Sequence, residues 1–335
     1  MKIVAPLTNI DNYEILVESG ADEFYVGITP YEFIGKYAIE PFALNRRPYI
    51  SGFNLGTSDS LKILRKKCDI YNKPVKITIN AHYYIQSQYY IIEKIIRKFI
   101  DYGFNTFIIA DIALIVFLKE KDIKCKIHLS GDFGSINSST IDFLMQFDIN
   151  RIIFPRNTSL IEMKSCIKNN KSYNIEYESF ILNEKCPYNS SYCNSFHSEN
   201  ITNICCINHY TSLVNNEPIK FKKLSNEITK KKILIKNKIF DLKNTNNQKP
   251  ILLINQSFGN SGCGICKLHE LGELGIEYVK VVGRGINIDL ILRDIKIIKT
   301  LINQMEYFNK SNDYSNYFKE YLFENNCTQR CYYPD

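Results

Sequence analysis

The chain has 335 residues, of which 45% are hydrophobic and 23% charged, and its formal net charge is +7. This is the composition of a globular protein with ample core, and it excludes disordered and collagen-like chains. No stretch approaches the roughly 18 uninterrupted apolar residues of a membrane span, and "MKIVAPLTN" lacks the apolar core of a signal peptide. A cytoplasmic protein with reduced thiols is therefore expected.

In chain order, short apolar runs that end in polar or turn residues predict strands at Lys2–Leu7, Asp22–Ile28, Val75–Asn80, Thr106–Asp111, Lys126–Ser130, Arg151–Pro155, Asn174–Leu182 and Glu277–Gly283. Between them lie amphipathic helical patterns. In "YYIIEKIIRKFIDYGF" apolar residues recur every three to four positions, and "DLILRDIKIIKTLI" ends the series. Strands alternating with helices imply parallel pairing through right-handed crossovers. The expected fold is an eight-stranded parallel β/α (TIM-like) barrel over residues 1–304, with an open doubly wound sheet as second choice. Two interruptions, at about 29–56 and 205–260, read as loops on the C-terminal face, and 305–335 forms a tail carrying Cys327 and Cys331.

The positive charge is concentrated. Lys220 to Lys249 holds ten lysines against Glu227 and Asp241, a local +8, and the remainder sums to −1. Such a run is a solvated loop or an arm that docks RNA or a peptide.

Eleven cysteines in a reducing compartment point to metal rather than disulfides. Cys68, Cys125 and Cys166 fall on helical or strand patterns and read as buried, inert thiols. The others form pairs: Cys186 with Cys193, Cys205 with Cys206, Cys263 with Cys266 in "GNSGCGICKL", and Cys327 with Cys331. A C-x-x-C on a glycine-rich loop serves zinc, an iron–sulfur cluster or a redox dithiol. The wide step from Cys186 to Cys193 suits a cluster held by distant segments better than a zinc knuckle, although zinc also accepts four thiolates. His197 is a further possible ligand.

Several segments together resemble the collagenase-like peptidases of peptidase family U32. They are "APLTNIDNYEILVESGADEFYVGI", "IHLSGDFGSINSSTIDFL", "RIIFPRNTSLIEM", "ESFILNEKCPYNSSYC" and "GELGIEYVKVVGR". The chain departs from the family pattern at Gly131, Asp132 and Asn157. The resemblance implies oxygen-independent hydroxylation supported by a 4Fe–4S cluster, acting on an RNA base, an aromatic metabolite or a peptide, with prephenate as a co-substrate. It implies cluster ligands at Cys186, Cys193, one of Cys205 and Cys206, and one of Cys263 and Cys266. A homologous partner chain or a homodimer is the expected assembly, and a non-catalytic cluster-bearing subunit is an alternative. Peptidase activity is the other alternative, but no H-E-x-x-H occurs and no nucleophile sits beside a recognisable base.

The predicted strand ends supply a pocket of Asn80, Asp111, His128, Ser130, Arg156, Glu178, Lys280 and Arg284. A dicarboxylate needs cationic clamps, and arginine presents its donors as a planar fork. Arg156 and Arg284 are the candidates, joined by Lys280 and Asn80, with Arg46 or Arg47 in reserve. His128 is placed as the proton carrier and Glu178 as the second acid/base group. Asp111 is expected to cap the following helix.

Overall fold

The computed structural model describes residues 1–37, 44–47, 52–56, 58–134, 136–186, 188, 191, 193, 258–323 and 330–334. Cys205, Cys206, Cys327, His197 and the Lys220–Lys249 arm lie outside the described residues.

Eight strands form one closed barrel in sequential order, every pairing parallel. They are β1 (Lys2–Pro6), β2 (Glu23–Val26), β3 (Val75–Ile79), β4 (Thr106–Ile109), β5 (Lys126–Leu129), β6 (Ile149–Ile153), β7 (Glu176–Leu182) and β8 (Tyr278–Val281). The helices are α1 (Tyr13–Glu18), α2 (Tyr31–Tyr37), α3 (Asp59–Tyr71), α4 (Gln86–Asp101), α5 (Ile112–Glu120), α6 (Ser138–Met145), α7 (Leu160–Asn169), α8 (Leu268–Leu274), α9 (Ile288–Asn303) and α10 (Ser311–Phe323). The expected TIM-like barrel is the fold.

Local chemistry sets several boundaries. Ser159 and Glu162 form a reciprocal capping box at the start of α7. The Asp111 carboxylate caps α5 through Ala113 N at 2.9 Å and also accepts from Tyr84 N and the Tyr89 hydroxyl. β6 begins at Ile149, two residues before the predicted start. A register shift between Ile127 and His128 leaves Asn150 as the extra residue, and its Oδ1 accepts from Ile127 N at 2.9 Å.

Side chains alternate across each strand. Ile3, Phe24, Ile77, Phe107, Ile152 and Val279 belong to the continuous buried apolar core. The other face turns inward, and there the barrel is charged. Arg151 of β6 bonds Glu23 of β2 at 2.8 Å. Those strands are diametrically opposed in an eight-membered ring, so the two side chains meet through the interior. Arg151 also holds Glu178 at 2.9 Å and Glu176 at 2.7 Å, while Lys76 holds Glu23 at 2.8 Å. The Tyr278 ring lies 3.3 Å from the guanidinium carbon of Arg151. Burial pulls the Lys76 amine down to about 8 even against the Glu23 carboxylate.

Candidate active site at the C-terminal mouth of the barrel

Above this charged layer a cavity of about 50 Å³ opens toward the C-terminal ends of the strands. Tyr25, Thr78, Ile108, Ser130, Ile153, Phe180 and Lys280 form its floor and walls. Arg46, Arg47, Asn80, Asp132, Arg156 and Arg284 reach in from the strand ends and loops. In a β/α barrel this end carries the chemistry.

The structure brings five of the eight expected pocket residues, Asn80, Ser130, Arg156, Lys280 and Arg284, into this one cavity, together with both reserve arginines. Asn80 Nδ2 donates to Asp132 at 3.0 Å and to Ser130 at 3.4 Å, leaving its buried Oδ1 without a partner. Arg156 donates to Asp132 at 3.4 Å and lies 4.3 Å above the Phe180 ring. Burial disfavours its charge, but Asp132, Tyr332, Glu184 and Cys186 together outweigh that and hold Arg156 protonated. Its buried Nε has no partner.

Lys280 donates to Glu178 at 2.7 Å and lies 4.2 Å from the Tyr25 ring centre. Arg284 has only neutral acceptors, Asn45 Oδ1 at 3.2 Å and Thr78 Oγ1 at 3.3 Å. Complete burial, reinforced by the nearby Arg47 charge, pulls its guanidinium down to about 10. Gly27 makes room for this group. A Cβ there would lie 1.9 Å from Asn54 Oδ1, 2.5 Å from Arg284 Nη1 and 2.8 Å from Asn45 Nδ2.

Arg46 and Arg47 come from the insertion after β2, which the Tyr84 hydroxyl ties down through Leu44 O at 2.6 Å. Arg47 pairs with Glu184. Arg46 reaches Cys193 O at 3.5 Å, and its buried Nε and Nη2 have no partner.

His128 and Glu178 do not line the cavity. Glu178 is buried between Arg151 and Lys280. Burial alone would raise its carboxyl, but those cations hold it below the ordinary value. His128 is buried with Nδ1 unpartnered, and burial together with the Arg151, Lys76 and Lys280 charges drives its pKa well below the usual imidazole range. It is a neutral ring. Sequence reasoning missed Asp132, Tyr25 and Thr78 as cavity residues. Their signal was the period-two placement of polar side chains along β2, β3 and the β5 end.

The thiols divide as expected for some and differently for others. Cys68 and Cys166 are buried, Cys125 is half-buried, and burial raises all three, Cys125 to about 11. Cys186 follows Lys185, whose N–H donates to Ser261 O at 2.7 Å. Cys263 bridges β7 at Leu182 on one side and Cys331 on the other. Among the described residues no three Cys, His, Asp or Glu side chains group closely enough to hold a metal ion. Cys186, Cys193, Cys263 and Cys331 come from separate segments, and sulfur donors are the type that iron–sulfur clusters and zinc take.

The family model described as Peptidase family U32 matches residues 8–333. The chain belongs to peptidase family U32. This U32 chain is similar to a solved U32 peptidase, Mk0906, at 8% identity and a TM-score of 0.41, covering 84% of this chain and 93% of that one. It is also similar to 2,3-dimethylmalate lyase of the PEP mutase/isocitrate lyase superfamily, at 8% identity and a TM-score of 0.36, covering 70% and 92%. An enolase-superfamily protein of unknown function from Enterococcus faecalis V583 is similar at 12% identity and a TM-score of 0.35, covering 54% and 43%. No curated protein matches the chain. Among the described residues no helix is long and apolar enough to cross a membrane.

Proposed function

We propose that this U32 member is an enzyme that binds a small dianion, a dicarboxylate of the prephenate type, in the barrel mouth and supports oxygen-independent hydroxylation with a 4Fe–4S cluster on the adjoining rim. The observation that carries the dianion is the charge balance of the cavity. Of its five lining cations, Arg47 pairs with Glu184, Arg156 with Asp132 at 3.4 Å and Lys280 with Glu178 at 2.7 Å. Arg46 and Arg284 have no carboxylate among the described residues. Arg284 is buried and Arg46 half-buried, with its Nε and Nη2 shielded and unpartnered, and two such guanidinium groups without a carboxylate are costly unless a ligand supplies negative charge.

In this reading Arg284 and Arg46 grip the two carboxylates, and Arg156 offers its free Nε to the ligand from above Phe180. Asn80 Oδ1 accepts from a ligand hydroxyl. Glu178 holds Lys280 in place, and neutral His128 offers an unprotonated ring nitrogen in the layer below. Cys186, Cys193, Cys263 and one of Cys205 and Cys206 would hold the cluster, which when bound supplies electron transfer or Lewis acidity. The molecule that becomes hydroxylated, an RNA base, an aromatic metabolite or a peptide, approaches from the open side of the mouth. Docking through the Lys220–Lys249 arm would make RNA binding steeply salt-sensitive.

Calorimetric titration with prephenate and with phenylpyruvate, its monocarboxylate counterpart, tests the dianion. Binding of prephenate about a hundredfold tighter is expected, in line with loss of one buried charge pair. Equal affinities would remove the two-clamp argument.

A further inference from the structure

We propose that Tyr332, carried by the C-terminal segment, is a positioning residue of the binding cavity: its ring steadies Phe180, and Phe180 in turn sets the Arg156 guanidinium for the ligand. This rests on the dianion reading above and gives the far end of the chain a part in it.

The barrel wall is irregular where β7 ends. Phe180 pairs with Lys280 and Leu182 with Val281, so Ile181 is the extra residue of a bulge. A bulge breaks the ladder, and the carbonyls around it need other partners. Ile181 O accepts from Gly264 N at 2.8 Å, and Leu182 O accepts from Val282 N at 3.1 Å. The two carbonyls that flank them, Phe180 O and Asn183 O, accept from the hydroxyls of Tyr333 and Tyr332. Two phenols from the C-terminal segment thus clamp the strand end on which Phe180 stands. Immediately beyond, Asn183 and Glu184 both have positive φ, 68° and 48°. Such a conformation persists only where its neighbours hold it.

The segment that brings the phenols is itself seated. Cys263 N donates to Arg330 O at 3.0 Å and Tyr332 N to Cys263 O at 2.7 Å, a parallel bridge between Cys263 and Cys331. Lys185 Nζ donates to Cys331 O. Both tyrosine rings are buried, and glycines make room for them. A Cβ on Gly262 would lie 3.0 Å from the Tyr332 ring, and one on Gly264 would lie 2.7 Å from the Tyr333 ring. These two glycines of "GNSGCGICKL" therefore serve the tyrosines of "CYYPD".

Phe180 is the surface that the segment and the cavity share. Its ring stacks with Tyr332 at 6.2 Å with 11° between the planes, and the Arg156 guanidinium carbon lies 4.3 Å from its centre. The ion pair of Arg156 with Asp132 is long, 3.4 Å, so the flat contact with Phe180 shares in setting the direction of the guanidinium. An arginine side chain has much rotamer freedom to lose, and a ring that fixes it beforehand lowers that loss on binding. Tyr332 also feels the arginine directly: burial raises its phenol, and the Arg156 charge works against that rise.

Calorimetric titration of the full chain with prephenate tests the route in wild type, Tyr332→Leu, Tyr332→Phe, Arg156→Met and the double variant Y332L/R156M. Y332L, which lacks the ring, is expected to bind at least about tenfold more weakly than wild type. Y332F keeps the ring, and an affinity within about threefold of wild type is expected. Added to R156M, Y332L should cost less than about twofold more, because its effect passes through Arg156. A general loosening of the fold would weaken both backgrounds alike. Urea midpoints identify a leucine variant that has lost its fold, and Tyr332→Met, which fills the space without a flat ring, then takes its place. Wild-type affinity in Y332L, an undiminished loss in the R156M background, or a loss in Y332F as large as that in Y332L would overturn the inference while leaving the dianion reading intact. Wild type that binds no prephenate would instead remove that reading, and the inference with it.

Discussion

Replacing Arg284 with methionine should strengthen the ligand-free protein while it removes dianion binding. The guanidinium is wholly buried and contacts only Asn45 Oδ1 at 3.2 Å and Thr78 Oγ1 at 3.3 Å. Neither acceptor is stranded by its loss. Asn45 Oδ1 still accepts from Arg47 N at 3.0 Å, and the Thr78 hydroxyl still donates to Val26 O at 2.9 Å. Taking a charge out of water costs several kcal/mol, and replacing buried ions by apolar groups of similar volume is often stabilising by about 1–4 kcal/mol. Two bonds to neutral acceptors offset part of that, so a gain of about 1–2 kcal/mol is expected. Binding moves the other way. Truncating one partner of a buried charge pair costs about 2–5 kcal/mol, roughly 30-fold to several thousandfold in Kd. Urea unfolding of the ligand-free proteins measures the first effect and calorimetry with a dicarboxylate the second. A variant with a lower urea midpoint and unchanged affinity would refute the reasoning on both counts, because Arg284 would then be a structural cation.

Gly27→Ala should displace Arg284 and its asparagine partners, since the new Cβ would lie 2.5 Å from Arg284 Nη1. Dicarboxylate affinity should fall by about tenfold or more, and an unaffected Kd would show that the cradle does not depend on this close approach. Arg151→Met removes the common partner of Glu23, Glu176 and Glu178, two of which keep a lysine. A loss of about 3–5 kcal/mol in urea unfolding is expected, and a loss under about 1 kcal/mol would mean that Lys76 and Lys280 suffice. Glu178 and Glu176 have folded carboxyl pKa values below the ordinary 4.5, because lysine and arginine charges overcome the burial that would raise them. Their contribution to stability is then complete above about pH 4.5 and is lost as pH falls through the lower folded values. The urea midpoint should decline on acidification below that point, and a midpoint that rises there would contradict the assignment.

The barrel was legible because its signal is local and repeated. Eight short runs, each bounded by a turn residue, placed every strand to within about two residues, and at β6, where Asn150 bulges, both ends are offset by two. The cavity was half legible for a related reason. Asn80, Arg156, Lys280 and Arg284 stand at or just beyond strand ends, where a barrel collects its chemistry. What a strand-end rule cannot see is depth. His128 and Glu178 sit one layer lower on the same inward face, among charges that cross the barrel, so their roles depend on partners from β2, β6 and β8 that lie far away in sequence.

The cysteines show the same limit from the other side. Spacing pairs Cys263 with Cys266, because C-x-x-C is the unit that sequence makes visible. A residue entering a three-residue helical turn rotates away from its predecessor by roughly 120° per step, and the pair is divided between two environments. Cys263 stays with the extended strand against β7, and Cys266 is buried in the short turn Ile265–Lys267. The companion of Cys263 is chosen by backbone pairing with residues 330–332, a contact spanning nearly 70 positions of the numbering. The two tyrosines of "CYYPD" make that choice possible: their rings and hydroxyls dock on the β7 end, and the thiol before them is carried into register. A tail that composition alone would leave as an afterthought is therefore seated within one residue of the strand end whose Phe180 underlies Arg156. Changes at the Cys263–Cys331 bridge and changes in the cavity should consequently report on one another through Tyr332.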